Sequence, residues 1–243
     1  MSSTAQSANS ANRARNFLWA TFFVMGISSM AWVPRIPEIK EQLNYGDGAF
    51  GFIILAGAIG SVLGAQISGR AIHLIASRTF MRLTSITMSL GIYTMGSAHG
   101  ASTLVIGLLL TGLSFAALDV AANVQAMAIE KLTKARYMSS FHAMWSIGAF
   151  AVTLIGGIMA RILTPSEHLK SLAVIAFIFY QFTITWLLPA DLDGHKGEAN
   201  ESTEAKVPLF GKKVMTLWAL GIGLMASFIP EAGIYDWSGI LLK

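Results

Sequence analysis

The stretch TGLSFAALDVAANVQAMAIEK, residues 111–131, places one carboxylate, Asp119, inside an otherwise apolar run. Phe115 precedes it by four residues and Asn123 follows it by four, so the three share one face of a helix. Whether an acid can sit there depends on the solvent around the segment, and the rest of the chain supplies the answer. Of its 243 residues, 54% are hydrophobic and only 12% charged, against roughly a quarter charged in soluble domains. Mean hydropathy is +0.59. With so little solubilising charge, the composition points to lipid.

Seven apolar segments recur, at about 17–34, 50–69, 79–98, 102–124, 141–163, 168–189 and 214–242. About 20 apolar residues of helix cross the hydrocarbon layer, and most of these runs fit. They are continuous rather than alternating, which selects helices over a closed barrel. The polar start MSSTAQSANSANRAR lacks the compact charged region of a signal peptide, and no clear small-residue cleavage site follows the first run. The first helix is therefore expected to be retained.

Basic residues favour cytoplasmic loops. With the N-terminus inside, the inner side receives Arg13, Arg15, Arg70, Arg78, Arg82, Lys131, Lys134, Arg136, Lys196, Lys206, Lys212 and Lys213. The outer side receives Arg35, Lys40, Arg161, Lys170 and Lys243. This asymmetry places the chain in the cytoplasmic (inner) membrane with a cytoplasmic N-terminus, and it accounts for the net charge of +4 without nucleic acid. There are no cysteines, so disulfides, thiolate metal sites and cysteine nucleophiles are excluded. His73, His99, His142, His168 and His195 are scattered without metal-ligand spacing. No phosphate-binding glycine loop or serine triad spacing occurs, and neither an enzyme nor a cofactor or metal is expected.

The expected organisation is a disordered cytoplasmic tail (1–15), a six-helix transmembrane bundle (16–189), a charged cytoplasmic linker (190–213) and a seventh transmembrane helix (214–243). The second helix carries Gly57, Ser61, Ala65 and Gly69 four apart, with Gly60, Gly64 and Ser68 as an adjacent row. Small residues at this spacing let helix backbones approach closely in lipid. Asp47 is a natural N-cap for this helix. In the preceding WVPRIPEIKEQL, Arg35 and Glu38 stand three apart and can pair, in a segment that reads as an interfacial cap.

Six helices, a charged linker and a seventh helix, together with WVPRIPEIKEQLNYGDGAFGFIILAGAIG (32–60), ALDVAANVQAMAIEK (117–131), YMSSFHAMWSIGA (137–149) and PEAGIYDWSGILL (230–242), resemble the major facilitator superfamily. The similarity is to a branch of bacterial sugar-permease-like and uncharacterised inner-membrane members. It implies an all-α membrane protein: a six-helix bundle built as a 3+3 inverted repeat, plus the first helix of an incomplete second bundle. The family has about twelve helices, so the resemblance implies a truncated chain, partnered by its missing C-terminal half or a second subunit.

Departures from the family pattern are equally specific. The loop between its second and third helices usually reads Gly, three residues, Asp-Arg, any residue, Gly and two basics. GRAIHLIASR (69–78) keeps Gly69 and Arg78, with His73 and Leu74 at the Asp-Arg positions. Leu108 stands where proton-coupled members have an Arg four before a Gly, here Gly112. LIGGIMARI has Gly156 and Gly157 but lacks the proline of drug antiporters. These features speak against an ordinary drug:proton antiporter.

Asp119 is expected about nine residues, or about 13 Å, from the cytoplasmic end of its helix. Facing lipid it would cost on the order of 3 kcal/mol, so it should face the bundle interior or a wet cavity. There it serves either as a substrate- or proton-binding acid or as a structural acid held by a neighbouring helix. Candidate cavity residues are Asp119, Asn123, Glu231 and Asp236; Pro230 is expected to break the helix beside Glu231. Candidate gate residues are His142, Trp145, Gly69 and Arg78, with Asn123 expected to orient His142. The implied function is secondary transport of a small polar, sugar-like solute, with proton or Na+ coupling. The alternative is a non-transporting scaffold or half-transporter subunit.

Overall fold

An apolar run in hydrocarbon must satisfy its backbone internally, and a helix does so. The computed structural model of the chain describes residues 3–194 and 212–241. Its long helices are α1 (Ser3–Met30), α3 (Asp47–Ile75), α4 (Ser77–Gly96), α5 (Ala101–Thr133), α6 (Met138–Met159), α7 (Pro165–Ile184) and α8 (Lys212–Leu241). A short 3-10 turn (Val33–Arg35) and α2 (Ile36–Leu43) join α1 to α3. The chain divides into two compact units, Met1–Lys196 and Gly197–Lys243.

Four stretches, Asn9–Leu43, Asp47–Ile75, Ala101–Thr133 and Met138–Met159, are long and apolar enough to cross a membrane. At 20 residues each, α4 and α7 also reach about 30 Å. In α4 the apolar character is diluted by hydroxyl side chains that bond back into their own helix. Thr84 Oγ1 donates to the Phe80 carbonyl (2.9 Å), Ser89 Oγ to that of Ser85 (3.0 Å) and Thr94 Oγ1 to that of Leu90 (2.8 Å).

In the first unit α5 packs chiefly against α3 and α4, α1 packs chiefly against α6 and also against α5 and α7, and α4 meets α7. Exchanging α1 with α5, α3 with α6 and α4 with α7 leaves this set of principal contacts unchanged. Each triplet contains three crossings, so the second begins in the opposite direction to the first. This is the 3+3 inverted repeat.

Glycine forms both equivalent seams. A Cβ on Gly60 would overlap the Leu109 carbonyl, one on Gly64 that of Leu113, and one on Gly112 that of Gly57. Between α1 and α6, a Cβ on Gly26 would overlap the Trp145 carbonyl and one on Gly148 that of Phe23. Hydroxyls bridge other pairs: Thr87 to Ser114 (2.6 Å), Thr21 to Thr183 (3.1 Å) and Tyr180 to Ser28 (3.1 Å).

Several local expectations are corrected. Residues 3–15, expected as a disordered tail, are helical, because alanines suit a helix and Ala11 and Ala14 are fully buried. Gly46, not Asp47, caps α3; the Asp47 carboxylate turns instead to Lys40. The expected loop 69–78 is almost entirely helix, because Ile72, Leu74 and Ile75 continue the apolar run. Ala76 alone separates α3 from α4, at φ 62° and ψ 149°, a region nearly restricted to glycine. The opening of the expected flexible linker is ordered against the bundle, with Asp193 buried; residues 195–211 of that linker lie outside the described residues. In the second unit α8 runs continuously through Pro230 rather than breaking there.

Two stability outcomes follow, both read as thermal unfolding in detergent. Gly60→Val should destabilise by about 1–3 kcal/mol through overpacking, whereas Gly69→Val, which meets nothing within 4 Å, should be near neutral. Ala76→Gly should stabilise the chain by about 1 kcal/mol by relieving backbone strain.

Candidate functional site

The midpoint of α5 is residue 117, so Asp119 lies close to mid-helix, fourteen residues from the end at Thr133. That is about 21 Å of helix, deeper than the sequence-based estimate because α5 continues beyond its apolar run. Asp119 is half-buried. The Asn123 amide donates to the Asp119 backbone carbonyl (2.9 Å) and also lies against its carboxylate. His142, on the first turns of α6, is the ionisable group whose charge bears on Asp119.

Aromatic rings complete this face. Phe115, one turn before Asp119, lies 6.5 Å from the Trp145 ring. The His142 ring stands edge-on to Phe22 of α1 at 5.3 Å. Phe22 stacks on Phe141 at 5.5 Å, which fixes the α1–α6 contact beneath. The Trp145 indole nitrogen is buried without a hydrogen-bond partner, an arrangement that costs free energy until an acceptor is supplied. The structure thus groups Asp119, Asn123, Phe115, His142 and Trp145 where α1, α5 and α6 meet. The Asn123 amide turns back into its own helix, and no hydrogen bond joins it to His142 among the described residues.

Two gate candidates lie elsewhere in the first unit. Gly69 is exposed near the end of α3. Arg78 sits on the first turn of α4 and donates to the Thr185 carbonyl. Glu231 and Asp236 fall on α8, and their side chains lie outside the described ones.

Two buried polar clusters close the ends of the first unit, and neither was evident in the sequence beyond the Arg35–Glu38 spacing. Arg35 is fully buried. It holds both Glu38 carboxylate oxygens (3.1 and 3.0 Å), His168 Nδ1 (3.0 Å) and the Leu163 carbonyl (3.0 Å). At the other end Gln125 donates to Ser77 Oγ (2.8 Å) and the Leu188 carbonyl (3.0 Å), and accepts from the Leu188 N–H (2.9 Å). Asp193 accepts from both the N–H (2.9 Å) and the hydroxyl (2.6 Å) of Ser77. These clusters are saturated and structural. Apart from Arg35 and Glu38, the partners are 48 to 133 residues apart, beyond any local spacing rule.

Membrane-length helices in two inverted triplets define a multi-pass membrane protein. The family model described as Major Facilitator Superfamily matches residues 18–242, and the chain belongs to that superfamily. An uncharacterized MFS-type transporter of Yersinia pestis is 27% identical over 226 residues, covering 91% of this chain and 55% of that protein. An uncharacterized transporter of Sinorhizobium fredii is 29% identical, covering 92% and 57% respectively. Sodium-dependent glucose transporter 1 of Rattus norvegicus is 24% identical over 136 residues, 56% of this chain and 28% of that protein. The chain spans about half the length of the bacterial relatives it matches over most of its own.

Because the chain has no cysteine, single thiols report directly on this face. Asp119→Cys should react with a membrane-impermeant thiol reagent many times faster than Ala122→Cys, whose position is fully buried. Equal rates would mean that water does not reach Asp119.

Proposed function

We propose that this chain supplies the first half of a secondary transporter that moves a small polar, sugar-like solute by alternating access. Asp119, near the middle of α5 among Phe115, Trp145 and His142, carries this reading. A carboxylate offers acceptors to solute hydroxyls, an aromatic face packs against the apolar side of a sugar ring, and the Trp145 N–H lacks an acceptor. In the proposed arrangement residues 16–189 form one rocking half, 190–213 the linker, and 214–243 the opening of the other half. Glu231 and Asp236 of α8 are proposed as further solute- or ion-binding acids, and the N-terminus faces the cytoplasm. The rest of the second half comes from further chain or a partner subunit. Differential affinity of the two access states for solute, with Na+ or protons, drives the exchange. The relatives named as sodium-dependent glucose transporters support sugar and Na+ as the first solute and ion to test.

The test is uptake of radiolabelled hexoses into proteoliposomes under imposed Na+ or proton gradients. Gradient-driven uptake is expected, and Asp119→Asn should lower it by roughly tenfold or more, the factor that corresponds to about 1.4 kcal/mol of lost interaction. Flux equal to that of empty vesicles under every gradient would reject autonomous transport. It would favour a half-transporter that needs a partner chain, the reading suggested by coverage of only 55% and 57% of the bacterial relatives.

A further inference from the structure

Three arginines from two helices converge on the end of a third. Arg78 of α4 donates to the Thr185 carbonyl, just beyond α7. Arg82, one turn further along α4, donates to the Thr185 hydroxyl (3.1 Å). Arg13 of α1 lies over the ring of the next residue, Trp186, at 5.1 Å from its centroid. Arg82 and Arg13 are also the charges that bear on the Arg78 guanidinium. None of the three forms an ion pair with another of the described residues.

Capping of α7 does not account for this concentration of charge. A helix C-terminus carries roughly half a negative charge, against three full positive charges. The buried acid nearby, Asp193, accepts both a backbone N–H and a hydroxyl from Ser77 through one oxygen, Oδ2, and so balances the N-terminal end of α4. Arg15, the other basic residue of α1, is engaged on a different side, with Tyr137 (3.1 Å) and the Trp19 ring. The cluster is left with surplus positive charge and unfilled guanidinium donors.

Its height identifies the anion. Trp186 ends an apolar helix, where indoles mark the interface between hydrocarbon and headgroups. Phe17, one turn inward from Arg13, stacks on Trp186 at 5.7 Å and packs edge-on to Phe182 at 5.8 Å. Phe17 and Phe182 therefore lie on the acyl-chain side of the cluster, and the three guanidinium groups gather around Thr185 and Trp186, at the interface where lipid phosphates lie. Planar guanidinium forks match phosphate oxygens in pairs. We propose that Arg13, Arg78 and Arg82, gathered around Trp186, bind the phosphate headgroup of an anionic phospholipid and tie the ends of α1, α4 and α7 together through it.

The experiment is native mass spectrometry of the full chain released from detergent, titrated with phosphatidylglycerol or phosphatidylcholine. Phosphatidylglycerol should be retained and phosphatidylcholine not. The double variant R78Q/R82Q should weaken retention by roughly thirtyfold, at the usual contribution of a basic residue near an anionic surface. Arg70→Gln, at an exposed arginine elsewhere on the same side, should leave retention unchanged. If the double variant does not fold, Arg13→Gln serves instead, since Arg13 is exposed and packs over the Trp186 ring; it should weaken retention severalfold. Equal retention of both lipids, or undiminished retention in the arginine variants, would overturn the proposal. So would complete displacement by equimolar inorganic phosphate, which would make this a site for free anions. Stronger retention in E198Q/E201Q/E204Q would also overturn it, by assigning the cluster to the acidic linker of this chain.

Discussion

Helices in hydrocarbon gain nothing from covering oil with oil, so what holds them together is how closely their backbones approach. In this bundle α5 lies against α3 where Gly60, Gly64 and Gly112 remove the side chains that would keep the backbones apart. The equivalent seam between α1 and α6 uses Gly26 and Gly148. Each seam is rigid because no flexible side chain lies between the backbones, and the two are related by the inverted repeat. The position of Asp119 on α5 and of Trp145 and His142 on α6 depends on them. Trp145 belongs to the seam through its carbonyl and to the candidate site through its ring.

Much of the fold was legible because lipid imposes simple rules. Continuous apolar runs gave the helices, and the row Gly60, Gly64, Ser68 is indeed a buried face. The matching seam was not legible, because Gly26 and Gly148 stand singly and a lone glycine has no spacing to read. Residues 69–78 teach a different lesson. Resemblance to a family motif suggested a loop, while Ile72, Leu74 and Ile75 carried the helix on to a turn at Ala76. There the residues' own apolar pattern was the better guide. Asp119 was visible as an acid where an acid is costly, but its aromatic neighbours came from α6, and only the packing brings α5 and α6 together.

The polar groups of the first unit fall into two kinds. Arg35 with Glu38, His168 and Leu163, and Gln125 with Ser77, Leu188 and Asp193, have their partners within the unit. A buried charge or amide with every partner in place stiffens its surroundings, and removing one partner strands the others. These clusters sit at opposite ends of the bundle and join residues far apart in sequence. They tie the helix ends at which they sit to one another.

The face shared by α5 and α6 is different in kind. Asp119 draws its hydrogen bond from its own helix, through Asn123, and the Trp145 N–H has no acceptor. Buried polar groups in native proteins are nearly always satisfied, so an unsatisfied donor near a half-buried acid marks a place where something else completes the network. A purely structural acid would be expected to resemble Asp193, with its donors already in place. The contrast between these two aspartates, one saturated at the end of the bundle and one under-coordinated at mid-helix, is the physical reason for placing the proposed solute site at Asp119.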